Sequence, residues 1–159
     1  MIEIAITDRA WTRALGNARA LTRRATRAAF ADLAPGAAAA VRLTSDQAMS
    51  ELNRRFRGKE GPTNVLAFPA TSGVGGGLGD IAVAFGVCER EAAAQGKSLA
   101  DHLQHLVVHG ALHLIGYDHQ NDGEAETMET IERRILARLG VADPYADRDG
   151  LESHVRTLG

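Results

Sequence analysis

Three histidines have the spacing of a metal chelate. In His109-Gly110-Ala111-Leu112-His113-Leu114-Ile115-Gly116-Tyr117-Asp118-His119 the first two lie four residues apart. On a helix that spacing puts both rings on one face, about 40° apart around the axis, where they can hold one ion. Gly116 stands where a helix needs a left-handed terminating residue, so the chain can turn and return His119 to the same point. Neutral imidazoles suit Zn2+ first, and also Ni, Cu or Fe. Three protein ligands leave a fourth position open to water, which marks a catalytic rather than a structural zinc site. Water bound there would have its pKa lowered to about 7, and the ion would polarise a phosphoryl or carbonyl oxygen. The one cysteine, Cys88, is distant in sequence and lies at an apolar helix start, so no thiolate is expected to close the site.

The same ligand spacing occurs in zinc proteases, where a glutamate follows the first histidine as general base. Here that residue is Gly110, so a metalloprotease-like hydrolase is the weaker alternative. No other residue stands out as a general base. His105 and His102 lie one and two turns before His109 and read as surface positions, with support of the ligands, or a substitute ligand, as the second reading. Asp118 can orient an imidazole or cap the turn. Asp80 can support the site or simply begin a strand. Arg57 lies in a turn-rich loop, residues 57–62. Its planar fork can bind two oxygens of a phosphodiester transition state, or close a loop salt bridge. Lys59 reads as a solvated loop residue, and His154 carries no argument.

The elements that must position these groups follow from periodicity. Strands are expected at 2–6, 39–44, 64–68 and 80–85. Helices are expected at about 9–30, from Ser45 as cap, and at about 86–95, 98–115 and 123–140, the last capped by Asp122 and stopped at Gly140. Thr71–Gly79 holds five glycines in nine residues and reads as a mobile loop. The mixture lacks strict βα alternation, which gives an α+β class with a small mixed sheet packed with helices. One domain is expected over 1–146, followed by a polar tail over 147–159.

Composition narrows the class. The 159 residues are 45% hydrophobic and 24% charged, which excludes a disordered chain and a disulfide scaffold. No apolar run is long enough for a membrane span, the N-terminus alternates like a strand rather than a leader, and a lone cysteine fits a reducing cytoplasm. Arg outnumbers Lys 16 to 2 and Ala reaches 28, a pattern of GC-rich coding, so abundant Arg is weak evidence of function. Residues 1–60 carry 11 basic against 6 acidic side chains and residues 61–159 carry 7 against 14, so the N-terminal half permits an anionic ligand. On one unbroken first helix, Arg9, Arg13, Arg23, Arg24 and Arg27 would form a stripe. That stripe reads as a solvated face first and as a phosphate contact second.

At these residues the chain resembles the YbeY family of bacterial metal-dependent endoribonucleases. The resemblance spans about 43–146. It rests on Arg57-Gly58-Lys59-Glu60-Gly61-Pro62-Thr63-Asn64-Val65-Leu66-Ala67-Phe68-Pro69, on Leu78-Gly79-Asp80-Ile81, on His102 to Gly110, and on Glu124-Ala125, Met128-Glu129 and Asp143-Pro144-Tyr145. It implies a zinc-protease-like α+β fold and cleavage of single-stranded RNA by one metal-bound water. It implies maturation of the 16S ribosomal RNA 3′ end and a part in ribosome quality control. Partners would be ribosomal RNA and the small ribosomal subunit, with neither DNA nor a membrane. It implies His109, His113 and His119 as ligands of one Zn2+ or other divalent ion, with Arg57 and His109 catalytic. The remaining alternative is a non-catalytic ribosome-assembly factor with a structural metal.

Overall fold

In the computed structural model, residues 1–70 and 77–146 are described. The glycine-rich segment expected to be mobile lies largely, and the tail over 147–159 wholly, outside them. The element order is β1 (Ile2–Ile6), α1 (Ala10–Ala14), α2 (Ala18–Leu33), β2 (Ala38–Thr44), α3 (Asp46–Arg57), β3 (Val65–Pro69), β4 (Gly77–Ala84), α4 (Phe85–Gln95), α5 (Leu99–Ile115) and α6 (Asp122–Arg138). This is the expected α+β class. No described helix is long and apolar enough to cross a membrane.

The sheet runs β1-β2-β4-β3, parallel except for β3, which pairs antiparallel with β4 and forms one edge. Alternation sends Ile4, Val41, Leu43, Ile81 and Val83 to one face, where they join Ala25, Ala29, Phe30, Leu103, Val107 and Leu112 of the helices in the main core. Among the described residues the other face is covered mainly by α3, through Met49 against Leu66, Ala82 and Ala84, with Val87 of α4 packed beside them. β4 begins three residues earlier than expected, at Gly77. Gly79 adopts φ 141° there, and a Cβ on it would sit 2.2 Å from the carbonyl oxygen of Phe68, so only glycine allows β3 to approach this closely.

The long N-terminal helix divides in two at Leu15–Asn17, because Leu15 is extended (φ −134°, ψ 100°) and ends α1 while α2 starts after Asn17. Trp11 is wholly buried, donates its indole N–H to the Thr44 carbonyl at 3.1 Å and meets the Phe85 ring edge-on. The single arginine stripe therefore does not form. Arg23 and Arg24 reach the carbonyls of Ile2 and Leu139. Ser45 caps α3 as expected, accepting from the Ala48 N–H. Asn121, not Asp122, caps α6, accepting from the Glu124 N–H at 2.9 Å. The asparagine sits one residue outside the helix with extended backbone, the geometry a side-chain cap requires.

Candidate metal centre

α5 is apolar on nearly every side and is enclosed by α2, α4, α6 and the sheet. His109 and His113 emerge from its last turns toward β3. Gly116 ends the helix at φ 118°, and its N–H bonds back to the Leu112 and His113 carbonyls. The chain then turns, and the ligand atoms of His109, His113 and His119 all fall within 4.8 Å of one another. Nε2 of His109 and Nε2 of His113 are 3.1 Å apart. Two ligands on a tetrahedral ion with bonds of about 2.0–2.1 Å stand about 3.3 Å apart, so the donor set fits a zinc-sized ion. His109 and His113 are half-buried and His119 is exposed, so the cluster opens to solvent on the His119 side. Burial, then the charges of His109 and His119, lower the pKa of His113, which favours the neutral, ligating imidazole.

Behind the cluster lies an acid that residue spacing does not single out. Glu132 of α6 is 0% exposed, and its Oε1 lies 2.5 Å from Nδ1 of His109. Its Oε2 lies 3.2 Å from Nε2 of His105 and also accepts from the Tyr145 hydroxyl. Burial alone would push this carboxyl up, but the hydrogen bonds and charges of His105 and His109 bring it down to about 2. Wholly buried and already accepting from three donors, this carboxylate turns no oxygen toward a substrate. The one available signal was position: Glu132 sits in the apolar stripe of α6 between Met128 and Ile135, where an acid needs a reason.

The surface reading of His102 and His105 is corrected. His102 is buried against Glu91, with Nε2 and Oε1 at 2.9 Å, and His105 joins Glu132, because α4 and α6 pack over this side of α5. Burial, partly offset by Glu91, lowers the pKa of His102. Asp118 caps the turn by accepting from the His119 N–H at 2.8 Å. Asp80 is exposed and lies away from the cluster's cavity. Cys88 is buried, and burial, with Glu91 and Glu89, pushes its thiol up to about 12. Among the described residues the metal-binding group is the three histidines alone.

A cavity of about 570 Å³ lies over the cluster, floored by β3 and lined by His109, His113, His119, Asn64 and Arg57. Arg57 is the last residue of α3 rather than part of the following loop, and helix α3 delivers it to the cavity rim. None of the five stripe arginines lines this cavity. Gly110 faces the sheet: a Cβ there would meet Ile81 Cγ2 at 2.9 Å and Val65 Cγ2 at 3.3 Å. A protease glutamate at this position is therefore sterically excluded as well as absent.

A two-histidine helix packed on a mixed sheet beside an antiparallel edge strand, with a third histidine returning past a glycine turn, defines a zincin-like α+β architecture. The family model described as Endoribonuclease YbeY matches residues 5–140. The chain is 50% identical over 151 residues to an Endoribonuclease YbeY of Maricaulis maris, covering 93% of each chain. It is 49% identical over 161 residues to one of Rhodopseudomonas palustris strain HaA2, covering 92% of this chain and 82% of that relative. The solution structure of TM1509 from Thermotoga maritima matches with a TM-score of 0.61 at 25% identity, over 97% of this chain and 95% of the other. The chain belongs to the YbeY endoribonuclease family, metal-dependent hydrolases that act on RNA.

Proposed function

We propose that this protein is a single-metal endoribonuclease of the cytoplasm that cleaves single-stranded RNA, with ribosomal RNA at the small subunit as its substrate and the 16S 3′ end as its place of action. His109, His113 and His119 hold the ion, and Zn2+ suits three neutral imidazoles best. The observation that carries the reading is the convergence of the three ligand atoms within 4.8 Å in a cavity that Arg57 also lines. An ion held by these three imidazoles would supply a Lewis acid able to lower the pKa of water and to offset charge on a phosphoryl oxygen. Arg57 binds the phosphodiester oxygens and holds the scissile group against the cluster, because a planar guanidinium matches two such oxygens at once. His109, locked from behind by Glu132, fixes where the reacting phosphate must sit.

A second groove supports single-stranded RNA as the substrate form. It is lined by Arg42, Arg55, Phe56 and Phe68 and shares Arg57, Ala67 and Pro69 with the site. Phe56 is 60% exposed and touches Phe68 edge-on at 5.3 Å, with the Arg55 guanidinium 5.7 Å above its ring. Aromatic faces beside arginines stack unpaired bases and hold the backbone.

The test is metal analysis and cleavage of single-stranded RNA on wild type, His113→Ala and Arg57→Ala. His113→Ala should lose both the ion and cleavage. Arg57→Ala should keep the ion and lose cleavage. Undiminished cleavage by both variants overturns the reading, and chelator-sensitive cleavage of peptides in place of RNA would favour the protease alternative.

A further inference from the structure

We infer that Glu132 is the positioning residue of the metal centre, its carboxylate accepting a hydrogen bond from the Nδ1–H of His109 and so leaving Nε2 of that ring for the ion, while His105 and Tyr145 hold the carboxylate in place. The inference rests on the three histidines being the metal ligands.

An imidazole ligates through one nitrogen only when its proton is kept on the other. For His109 the choice is made by geometry. Its Nδ1 faces Glu132 Oε1 at 2.5 Å, and its Nε2 faces the Nε2 of His113 at 3.1 Å. The carboxylate is fixed in turn. Nδ1 of His105 is buried with no hydrogen-bond partner among the described residues, so the ring's proton belongs on Nε2, which donates to Glu132 Oε2 at 3.2 Å. The Tyr145 hydroxyl donates to the same oxygen.

Tyr145 is itself held in a short strap that follows α6. Asp143 Oδ1 accepts from the Tyr145 N–H at 2.8 Å and from Arg133 Nε at 3.2 Å, and the Arg133 guanidinium lies 5.3 Å from the Tyr145 ring centre. Lys97 reaches the Pro144 carbonyl at 3.4 Å. The strap, α6 and α5 thus converge on one buried acid. Glu132 occupies a place in the α6 stripe where leucine would pack without any desolvation cost, and such a carboxylate persists because three donors satisfy it. An acid behind a ligating imidazole sets its tautomer, orients the ring and raises its basicity, and removing such a partner typically weakens metal binding about 10–100-fold.

The experiment compares full-length wild type with Glu132→Gln, Glu132→Leu and Tyr145→Phe. Zn2+ affinity is measured by competition with a chromophoric chelator. The ring protonation of His109 is read by 15N NMR on metal-free protein at about pH 8, above the ordinary histidine range. Thermal melts report folding. Glu132→Gln keeps the shape and one acceptor but loses the charge, and should bind Zn2+ about 10–100-fold more weakly. Tyr145→Phe should shift affinity in the same direction by a smaller factor. Glu132→Leu should move the His109 proton from Nδ1 toward Nε2, a change that a purely structural role would not produce.

Wild-type affinity in Glu132→Gln and Tyr145→Phe overturns the inference, as does an unmoved proton in a folded Glu132→Leu. If Glu132→Leu fails to fold, the Gln and Phe variants decide. Wild-type protein whose Zn2+ binding is indifferent to His113→Ala would instead sink the metal-centre reading beneath it. Normal loss of Zn2+ in His113→Ala, with no change in the Glu132 variants, would sink the positioning role alone.

Discussion

The two faces of the sheet are built from the same four strands and treated in opposite ways. The inward face presents Ile4, Val41, Leu43, Ile81 and Val83 to α2 and α5 and is closed over. The outward face presents Glu3, Ala5, Ala40, Arg42 and Asp80, with α3 covering only its β3–β4 end. Branched aliphatic residues fill a core, while alanines and charges leave a shallow floor that needs no cover. The histidine cluster belongs to the closed side, where α5 is wedged between the sheet and α6 and its imidazoles have little freedom. The open side offers area instead of rigidity, and Phe56 stands in it uncovered. Closed packing suits the holding of a metal, and an open, basic, aromatic surface suits the holding of a chain. Arg57, at the end of α3, lines both cavities and joins the two.

That contrast can be broken at its joint first. Arg57→Ala should lower kcat/KM for RNA cleavage by about 10²–10³-fold, the usual cost of removing one donor to a developing charge. Its Zn2+ content and melting temperature should stay at wild-type values. A variant that also lost zinc would place Arg57 in the closed half.

The closed half is probed by Gly110→Ala. The added methyl would sit 2.9 Å from Ile81 Cγ2, and Ile81 is fully buried. Overpacking of this kind costs about 1–3 kcal/mol, against about 1 kcal/mol that alanine gains over glycine within a helix. A net loss of about 0–2 kcal/mol in denaturant unfolding is expected. A net gain would mean that α5 and the sheet are free to move apart.

The open half is probed by Phe56→Ala. RNA affinity, measured by fluorescence anisotropy on single-stranded oligonucleotides, should fall by about 1–3 kcal/mol, the worth of one stacked base. Stability should change by no more than about 0.5 kcal/mol, because the ring is exposed. A large loss of stability with unchanged affinity would reverse the roles given to the two faces.

The smallest effect is on pH dependence. Burial holds the folded-state pKa of His102 below its ordinary value. Above about pH 6.5 the ring is neutral whether the chain is folded or not and adds no pH dependence. As pH falls below that, the unfolded chain takes up the proton first, so stability declines until the folded-state pKa is passed. His102→Gln should show a shallower decline than wild type just below about pH 6.5 in urea titrations. An equal or steeper decline would contradict the direction of the shift.

Much of this was legible in the residue order. The four strands and most helices lie within a few residues of where periodicity puts them, because alternation and the 3.6-residue repeat are local properties. The main misreading, one long N-terminal helix, came from extending a charge stripe across Leu15–Asn17. Nothing in that stripe reports that Trp11 is anchored to Thr44, 33 residues away. His102 and His105 were misjudged for the same reason: a stripe on α5 shows which residues share a side, and α4 and α6 decide whether that side sees water.

By itself the sequence determined the chelating pair and its turn. Four residues on a helix put His109 beside His113, and Gly116 supplies the left-handed residue that lets the chain come back. Only the tertiary structure decided what stands behind and around them. Glu132 meets His109 across 23 residues, Tyr145 meets His105 across 40, and Gly110 is required by the side chains of Ile81 and Val65. Those choices depend on how α5, α6 and the sheet pack, and packing is set by shape and desolvation between distant segments that no local repeat encodes.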